Sequence, residues 1–204
     1  MTNPTLKIAF IDHYDSFSFN LIEWLASDSN NVSVERVCYD DKHALAKLEE
    51  FPVPTVISPG PKRPEDVPST LSYLGKVWGR VPLLGVCLGH QALCYSQGFT
   101  ITKASSPHHG AMRTLSFESS DPLFEGFTEL KAVTYNSLKA EAPHGGDQSG
   151  YQVLATDQWG DIQAIRFLNS DFPTYGLQFH PEAHLTESGE LLAKNWLNLI
   201  RPRT

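Results

Sequence analysis

Three side chains in this sequence could together activate a nucleophile: Cys87, His180 and Glu182. Cys87 stands in Gly85-Val86-Cys87-Leu88-Gly89. The apolar run Leu83, Leu84, Val86 before it suits a buried parallel strand. Ala92, Leu93, Tyr95 and Ser96 after it suit a helix. A strand and a helix joined through Gly-x-Cys-x-Gly match the nucleophile elbow, with Cys in place of Ser. Such a turn is sharp and strained, and a Cβ on either flank would collide with packed backbone, which accounts for the two glycines. The helix N-terminus then points N–H groups at whatever the sulfur attacks and favours a thiolate. Taken alone, the elbow also fits an ordinary buried core cysteine.

A partner for the thiol stands downstream in Tyr175-Gly176-Leu177-Gln178-Phe179-His180-Pro181-Glu182. Alternation of Leu177 and Phe179 predicts a strand that ends at His180. Residues two apart on a strand share a face, so His180 and Glu182 are expected to point the same way. Pro181, which lacks an N–H, ends the ladder. A cysteine nucleophile needs a base, and the base needs a third group to fix its tautomer. Either residue singly reads as a structural histidine or a solvated glutamate; with the elbow, the three form a catalytic triad.

Cys87-Leu88-Gly89-His90-Gln91 followed far downstream by Phe179-His180-Pro181-Glu182 resembles the class I (triad) glutamine amidotransferases. The opening Asp12-His13-Tyr14-Asp15-Ser16-Phe17 is similar to that of one subgroup, the glutaminase subunits of anthranilate synthase and aminodeoxychorismate synthase. The resemblance covers roughly Lys7 to Leu199. It implies L-glutamine as substrate, no cofactor, and a hetero-oligomer with a separate chorismate-using synthase subunit (component I). It also implies an oxyanion hole from the Gly60 and Leu88 N–H groups, with glutamine held by Gly60, Gln91, Ser137 and Leu138. The chain departs from the subgroup at three positions: Lys62, Ala111 after the Pro107-His108-His109-Gly110 loop, and Asn136, where histidine is usual. A stand-alone cysteine hydrolase of γ-glutamyl substrates needs the same triad and is the competing reading.

Composition bounds these readings. The chain has 204 residues, 41% of them hydrophobic, and a net charge of −7 with no basic run. That size suits one domain, residues 1–204, with a proper core, and the acidic balance argues against nucleic acid. No apolar run is long enough to span a bilayer. Met1-Thr2-Asn3-Pro4 lacks a charged-then-apolar signal layout. Cys38, Cys87 and Cys94 give neither zinc spacing nor a disulfide framework, so a reducing, cytoplasmic compartment is expected. Cys94 reads as packing. His108-His109 and His180 with His184 lack a supporting ligand pattern, and no metal is expected.

The elements that must position the triad follow from periodicity. Strands are predicted over Leu6–Ile11, Val32–Cys38, Val53–Ser58 and the elbow strand. Helices are predicted to about Ser27 with Asp15 or Ser16 as cap, over Asp41–Glu50 and Pro68–Trp78, and after the elbow. Alternating strands and helices imply a doubly wound, mainly parallel central sheet flanked by helices, an α/β fold of flavodoxin-like type. The rigid Ser58-Pro59-Gly60-Pro61 turn lies at a strand's C-terminal end, where such sheets bind ligands. Beyond Gly98, short strands at Phe99–Lys103, Met112–Phe117, Lys131–Thr134, Tyr151–Thr156 and Ile162–Phe167 predict antiparallel additions. A last helix is predicted over Glu187–Ile200.

Overall fold

The computed structural model describes residues 5–26, 31–106, 110–143 and 148–201. Its centre is a nine-stranded sheet. In chain order the strands and helices are β1 (Leu6–Asp12), α1 (Ser18–Ala26), β2 (Val32–Cys38), α2 (Lys42–Glu50), β3 (Thr55–Ile57), α3 (Pro68–Val77), β4 (Leu83–Val86) and α4 (Leu88–Ser96). Then come β5 (Thr100–Lys103), β6 (Ala111–Phe117), β7 (Leu130–Thr134), β8 (Leu138–Glu141), β9 (Tyr151–Thr156), β10 (Ile162–Phe167), β11 (Thr174–Leu177) and α5 (Gly189–Ile200). The sheet order is β2-β1-β3-β4-β11-β10-β9-β6-β7. The pairs from β2 to β11 are parallel, and those from β11 to β7 are antiparallel. A separate antiparallel ribbon joins β5 to β8. This is the expected doubly wound α/β sheet with antiparallel additions.

The core explains the winding. Ile8, Ala9, Phe10 and Ile11 of β1 are all fully buried, as a parallel strand covered on both faces requires. Ile8 and Phe10 join one apolar cluster with Leu21, Trp24 and Leu25 of α1 and Leu192, Trp196 and Leu197 of α5. Ala9 and Ile11 face the other way, towards Leu45 of α2, Tyr73 and Leu74 of α3, and Leu93 of α4. The order β2-β1-β3-β4 puts a topological switch between β1 and β3, and ligands in such sheets bind at the strands' C-terminal ends there. No helix among the described residues is long and apolar enough to cross a membrane.

Several local expectations change. The strand predicted to run to His180 ends at Leu177. Its parallel neighbour β4 turns into the elbow after Val86, so the ladder loses its partner. The chain continues by single bonds instead: Gln178 N–H donates to the Gln163 carbonyl (2.8 Å) and His180 N–H to the Val133 carbonyl (3.0 Å). Second, α1 starts at Ser18, just past the predicted caps; the Asp15 carboxylate accepts the Phe17 N–H at 2.8 Å and its carbonyl accepts the Ser18 N–H. Third, β8 is a strand that periodicity did not show. The predicted Asp41 start of the second helix becomes its cap: the Asp41 carboxylate accepts the N–H groups of His43 and Ala44, as N-caps do.

Candidate active site

The elbow is built by steric necessity. Cys87 has φ 52° and ψ −103°, a left-handed conformation that costs a non-glycine residue about 1–3 kcal/mol and persists only where the surroundings impose it. They do. A Cβ on Gly85 would fall on the Gly89 carbonyl and 2.7 Å from the His90 nitrogen, and one on Gly89 would fall on the Ile57 carbonyl group of β3. Neither neighbour is a flexible side chain. Gly89→Ala is therefore expected to destabilise the fold by about 1–3 kcal/mol or more, seen as a lower urea midpoint at unchanged slope. Cys87 N–H is anchored to the Leu177 carbonyl at 2.8 Å, which ties the elbow to β11. The half-buried Cys87 caps α4 without using its sulfur as a cap acceptor, so the sulfur stays available at the positive end of that helix.

His180 and Glu182 meet, although not by sharing a strand face. His180 Nδ1 lies 2.7 Å from Glu182 Oε1, and both side chains are essentially buried. The turn at Pro181 brings them together. Nδ1 faces the carboxylate, which leaves Nε2 as the ring nitrogen that serves Cys87. Burial by itself would drive the His180 pKa down. The hydrogen bonds and charges of Cys87 and Glu182 outweigh it and push His180 up to about 10. A protonated imidazole beside a cysteine sulfur is one half of the thiolate–imidazolium pair found at reactive cysteines. The ring is also boxed edge-on by Tyr135 (centroids 5.1 Å apart) and Phe17 (5.5 Å), which contact each other at 5.2 Å.

The loop after β3 closes the other side. A Cβ on Gly60 would come within 2.7 Å of both His13 Cβ and Leu88 Cδ2, so Gly60 lies against the elbow residue Leu88. Leu88 opens α4 and has no intrahelical acceptor for its N–H. Among the described residues Gly60 N–H donates to no backbone carbonyl. Two such free N–H groups beside a nucleophile are what an oxyanion needs. Lys62 turns away from this point: its ammonium donates to Tyr39 Oη at 2.6 Å and lies 4.9 Å from the Tyr39 ring centroid.

The residues expected to hold substrate cluster on the third side. Gln91 Nε2 donates to Gln178 Oε1 (3.1 Å) and approaches the Leu138 carbonyl (3.4 Å). Asn136, at the histidine position of the subgroup, donates from Nδ2 to the same Leu138 carbonyl at 2.9 Å. The Ser137 carbonyl accepts the Ala104 N–H. The 136–138 turn is thus held by its own chain, and the asparagine supplies one of the bonds. Gly110 N–H donates to the Thr134 carbonyl, and Gly110 packs near Tyr135. His108 and His109 lie outside the described residues.

Several other motif residues prove to be scaffolding. Asp12 accepts hydrogen bonds from Tyr14 N–H (2.9 Å), Ser18 Oγ (2.5 Å) and Arg36 Nε (2.7 Å). Burial would raise its pKa, but those donors lower it on balance. His90 is fully buried and lowered to about 4 by that burial. Its ring occupies the space over Gly176 and lies 3.9 Å from Cys94 Sγ. Burial pushes the Cys94 thiol up, in keeping with a packing role. Among the described residues no group of three or more His, Cys, Asp or Glu is placed to hold a metal. Sequence reasoning missed Phe17 and Tyr135 as walls of the His180 pocket, Gln178 as the Gln91 partner, and His13 beside Gly60. Phe17, His13 and Gln178 stood within the quoted motifs, but their contacts are long-range and left no local signal.

Comparison with known proteins gives a consistent picture. The family model described as glutamine amidotransferase class-I matches residues 9–199. A pyocyanine-specific anthranilate synthase component 2 of Pseudomonas aeruginosa is 36% identical, over 94% of this chain and 93% of that protein. The aminodeoxychorismate/anthranilate synthase component 2 of Bacillus subtilis is 33% identical, over 95% and 97%. Among solved structures, a glutamine amidotransferase of Thermotoga maritima superposes with a TM-score of 0.69 at 16% identity, covering 95% of this chain and 81% of that one.

Proposed function

Because the chain belongs to the class I glutamine amidotransferase family, we propose that it is the glutaminase subunit of a chorismate-aminating synthase, hydrolysing L-glutamine and delivering ammonia to a separate component I. The observation that carries this is the strained Cys87 at the head of α4, with His180 paired to Glu182 through Nδ1 at 2.7 Å. The component 2 names of its relatives support the choice of partner.

His180 takes the Cys87 thiol proton, and the sulfur attacks the side-chain amide carbon of glutamine. The Gly60 and Leu88 N–H groups receive the developing oxyanion, and each such donor is worth about 10²–10³ in rate. His180 gives its proton to the departing nitrogen, which leaves as ammonia. It then takes a proton from the water that attacks the γ-glutamyl thioester, and glutamate is released. Glu182 keeps the ring in one tautomer and one orientation through Nδ1. Gln91 and the backbone of Ser137 and Leu138 position the substrate. No step calls for a cofactor or a metal. The protein acts as a single amidotransferase domain in the cytoplasm, where its three free cysteines remain reduced.

The test is co-expression with each candidate chorismate-using subunit, with glutamine hydrolysis measured beside product. Turnover that rises with one partner, with anthranilate or aminodeoxychorismate as product, supports the proposal and assigns the pathway; turnover with both identifies a shared subunit. Equal glutamine hydrolysis with no partner would instead favour a stand-alone hydrolase of γ-glutamyl substrates.

A further inference from the structure

We propose that His13 is a positioning residue for the reaction: its side chain locks the Ser58-Pro59-Gly60 loop against the elbow and thereby sets where the Gly60 N–H points. The inference deepens the proposed function and rests on the reading of Gly60 and Leu88 as the oxyanion donors.

His13 follows β1 and faces the end of β3 across the topological switch of the sheet. It is 1% exposed. Its backbone N–H donates to Ser58 Oγ at 2.9 Å, and its Nδ1 lies 3.1 Å from the same oxygen. Ser58 Oγ in turn donates to the Pro59 carbonyl at 2.6 Å. The hydroxyl has one proton, and that proton is committed to Pro59. Nδ1 must therefore be the donor to Ser58 Oγ, which leaves Nε2 as the acceptor for the Thr70 hydroxyl of α3 at 2.9 Å. Both ring nitrogens are thus satisfied by the neutral Nδ1–H tautomer. Burial, which outweighs the opposing pull of Asp12, lowers His13 to about 4, so that tautomer holds at neutral pH.

Each of these bonds acts on the loop that carries Gly60. Ser58 N–H donates to the Ile11 carbonyl (3.0 Å), and its carbonyl accepts the Gly89 N–H of the elbow (3.2 Å). His13 Cβ and Leu88 Cδ2 together fill the space where a Gly60 side chain would stand. On its far face the His13 ring stacks on Tyr39, with centroids 5.0 Å apart and planes at 21°. Tyr39 holds Lys62, two residues past Gly60. The loop is therefore fixed at Ser58 by hydrogen bonds and at Lys62 through the stacked ring, with His13 as the common member. An oxyanion donor works within a few tenths of an ångström of its proper place, and a displacement of about 1 Å can cost roughly 10²-fold. Among the described residues His13 bonds Ser58 and Thr70 and stacks on Tyr39, and none of these is in the triad, so its effect passes through Gly60.

The test uses the complex with the chorismate-using subunit and two readouts. His13→Phe keeps a ring to stack on Tyr39, though a larger one, and removes both side-chain hydrogen bonds. We expect kcat for glutamine hydrolysis to fall about 10- to 100-fold with KM little changed. Alkylation of Cys87 by iodoacetamide should keep its rate, because that displacement forms no oxyanion. His13→Asn, whose amide can still donate to Ser58 Oγ but cannot reach Thr70, should retain intermediate activity, and it carries the test if the Phe variant does not fold. An unchanged kcat in both variants, or a parallel fall in kcat and alkylation, would overturn the positioning role. Absence of glutamine hydrolysis by the unsubstituted complex would instead overturn the function on which it rests.

Discussion

Cys87→Ser is expected to abolish glutamine-dependent synthesis by the complex while leaving synthesis from added ammonium salt intact. The sulfur is the atom that forms the thioester, and no other cysteine can replace it: Cys94 is buried, with its thiol pushed up by burial, and Cys38 lies at the end of β2. A serine hydroxyl in the same strained position is a much weaker nucleophile at neutral pH. Because an intact triad acts as a unit, the loss should reach about 10⁴-fold or more. Ammonium bypasses the step, since the amination is carried out by the partner. Loss of both activities would mean that Cys87 serves the assembly rather than the hydrolysis.

The second large effect is at Glu182. Glu182→Gln keeps the shape of the side chain but removes the charge opposite His180 Nδ1. A comparable change in a serine triad lowers kcat about 10⁴-fold by favouring the wrong tautomer, and a loss of up to that size is expected here. The substitution should also move the pH profile. His180 is held up to about 10 against the opposing effect of burial by Cys87 and Glu182. Removing one of these supports should shift the alkaline limb of glutamine hydrolysis towards lower pH. The same linkage governs stability. The folded histidine keeps its proton to about pH 10, whereas the unfolded one loses it near ~6.5. Between those values the unfolded chain binds fewer protons, so this contribution is fully present below the unfolded value and is lost as pH rises through the folded one. Urea midpoints of the wild type should therefore fall on the alkaline side as pH rises to about 10, and Glu182→Gln should flatten that fall. An alkaline limb that stays in place in the variant would remove Glu182 as the support of His180.

What could be read before the structure was what sterics dictates within one short segment. Gly85 and Gly89 flank Cys87 because backbone occupies the space of their side chains, and that necessity is visible as a motif. The central strand and the winding around it were visible for a similar reason: β1 is apolar on both faces. The His180–Glu182 contact was anticipated through a strand that stops at Leu177, because the partner that would have extended the ladder turns away at the elbow. β8 was invisible: in Leu138-Lys139-Ala140-Glu141 the charged Lys139 and Glu141 pair with each other, and only Ala140 is buried. His13 stood in the quoted opening motif, but nothing local shows what it bonds. Its partners Ser58 and Thr70 lie 45 and 57 residues away, and only the parallel sheet brings them to one edge. The Asn136 departure likewise acquires meaning only when its amide is seen on the Leu138 carbonyl that Gln91 also approaches.

The most direct measurement is to trap the nucleophile. The complex with its chorismate-using subunit is incubated with a glutamine-analogue alkylator, digested and examined by mass spectrometry, with L-glutamine as competitor and Cys87→Ala as control. A covalent γ-glutamyl thioester mechanism requires one adduct, on the peptide that carries Cys87, lost in the variant and suppressed by glutamine in step with the loss of glutaminase activity. Full inactivation with Cys87 unmodified, or an unmodified Cys87 in a complex that still hydrolyses glutamine, would contradict it.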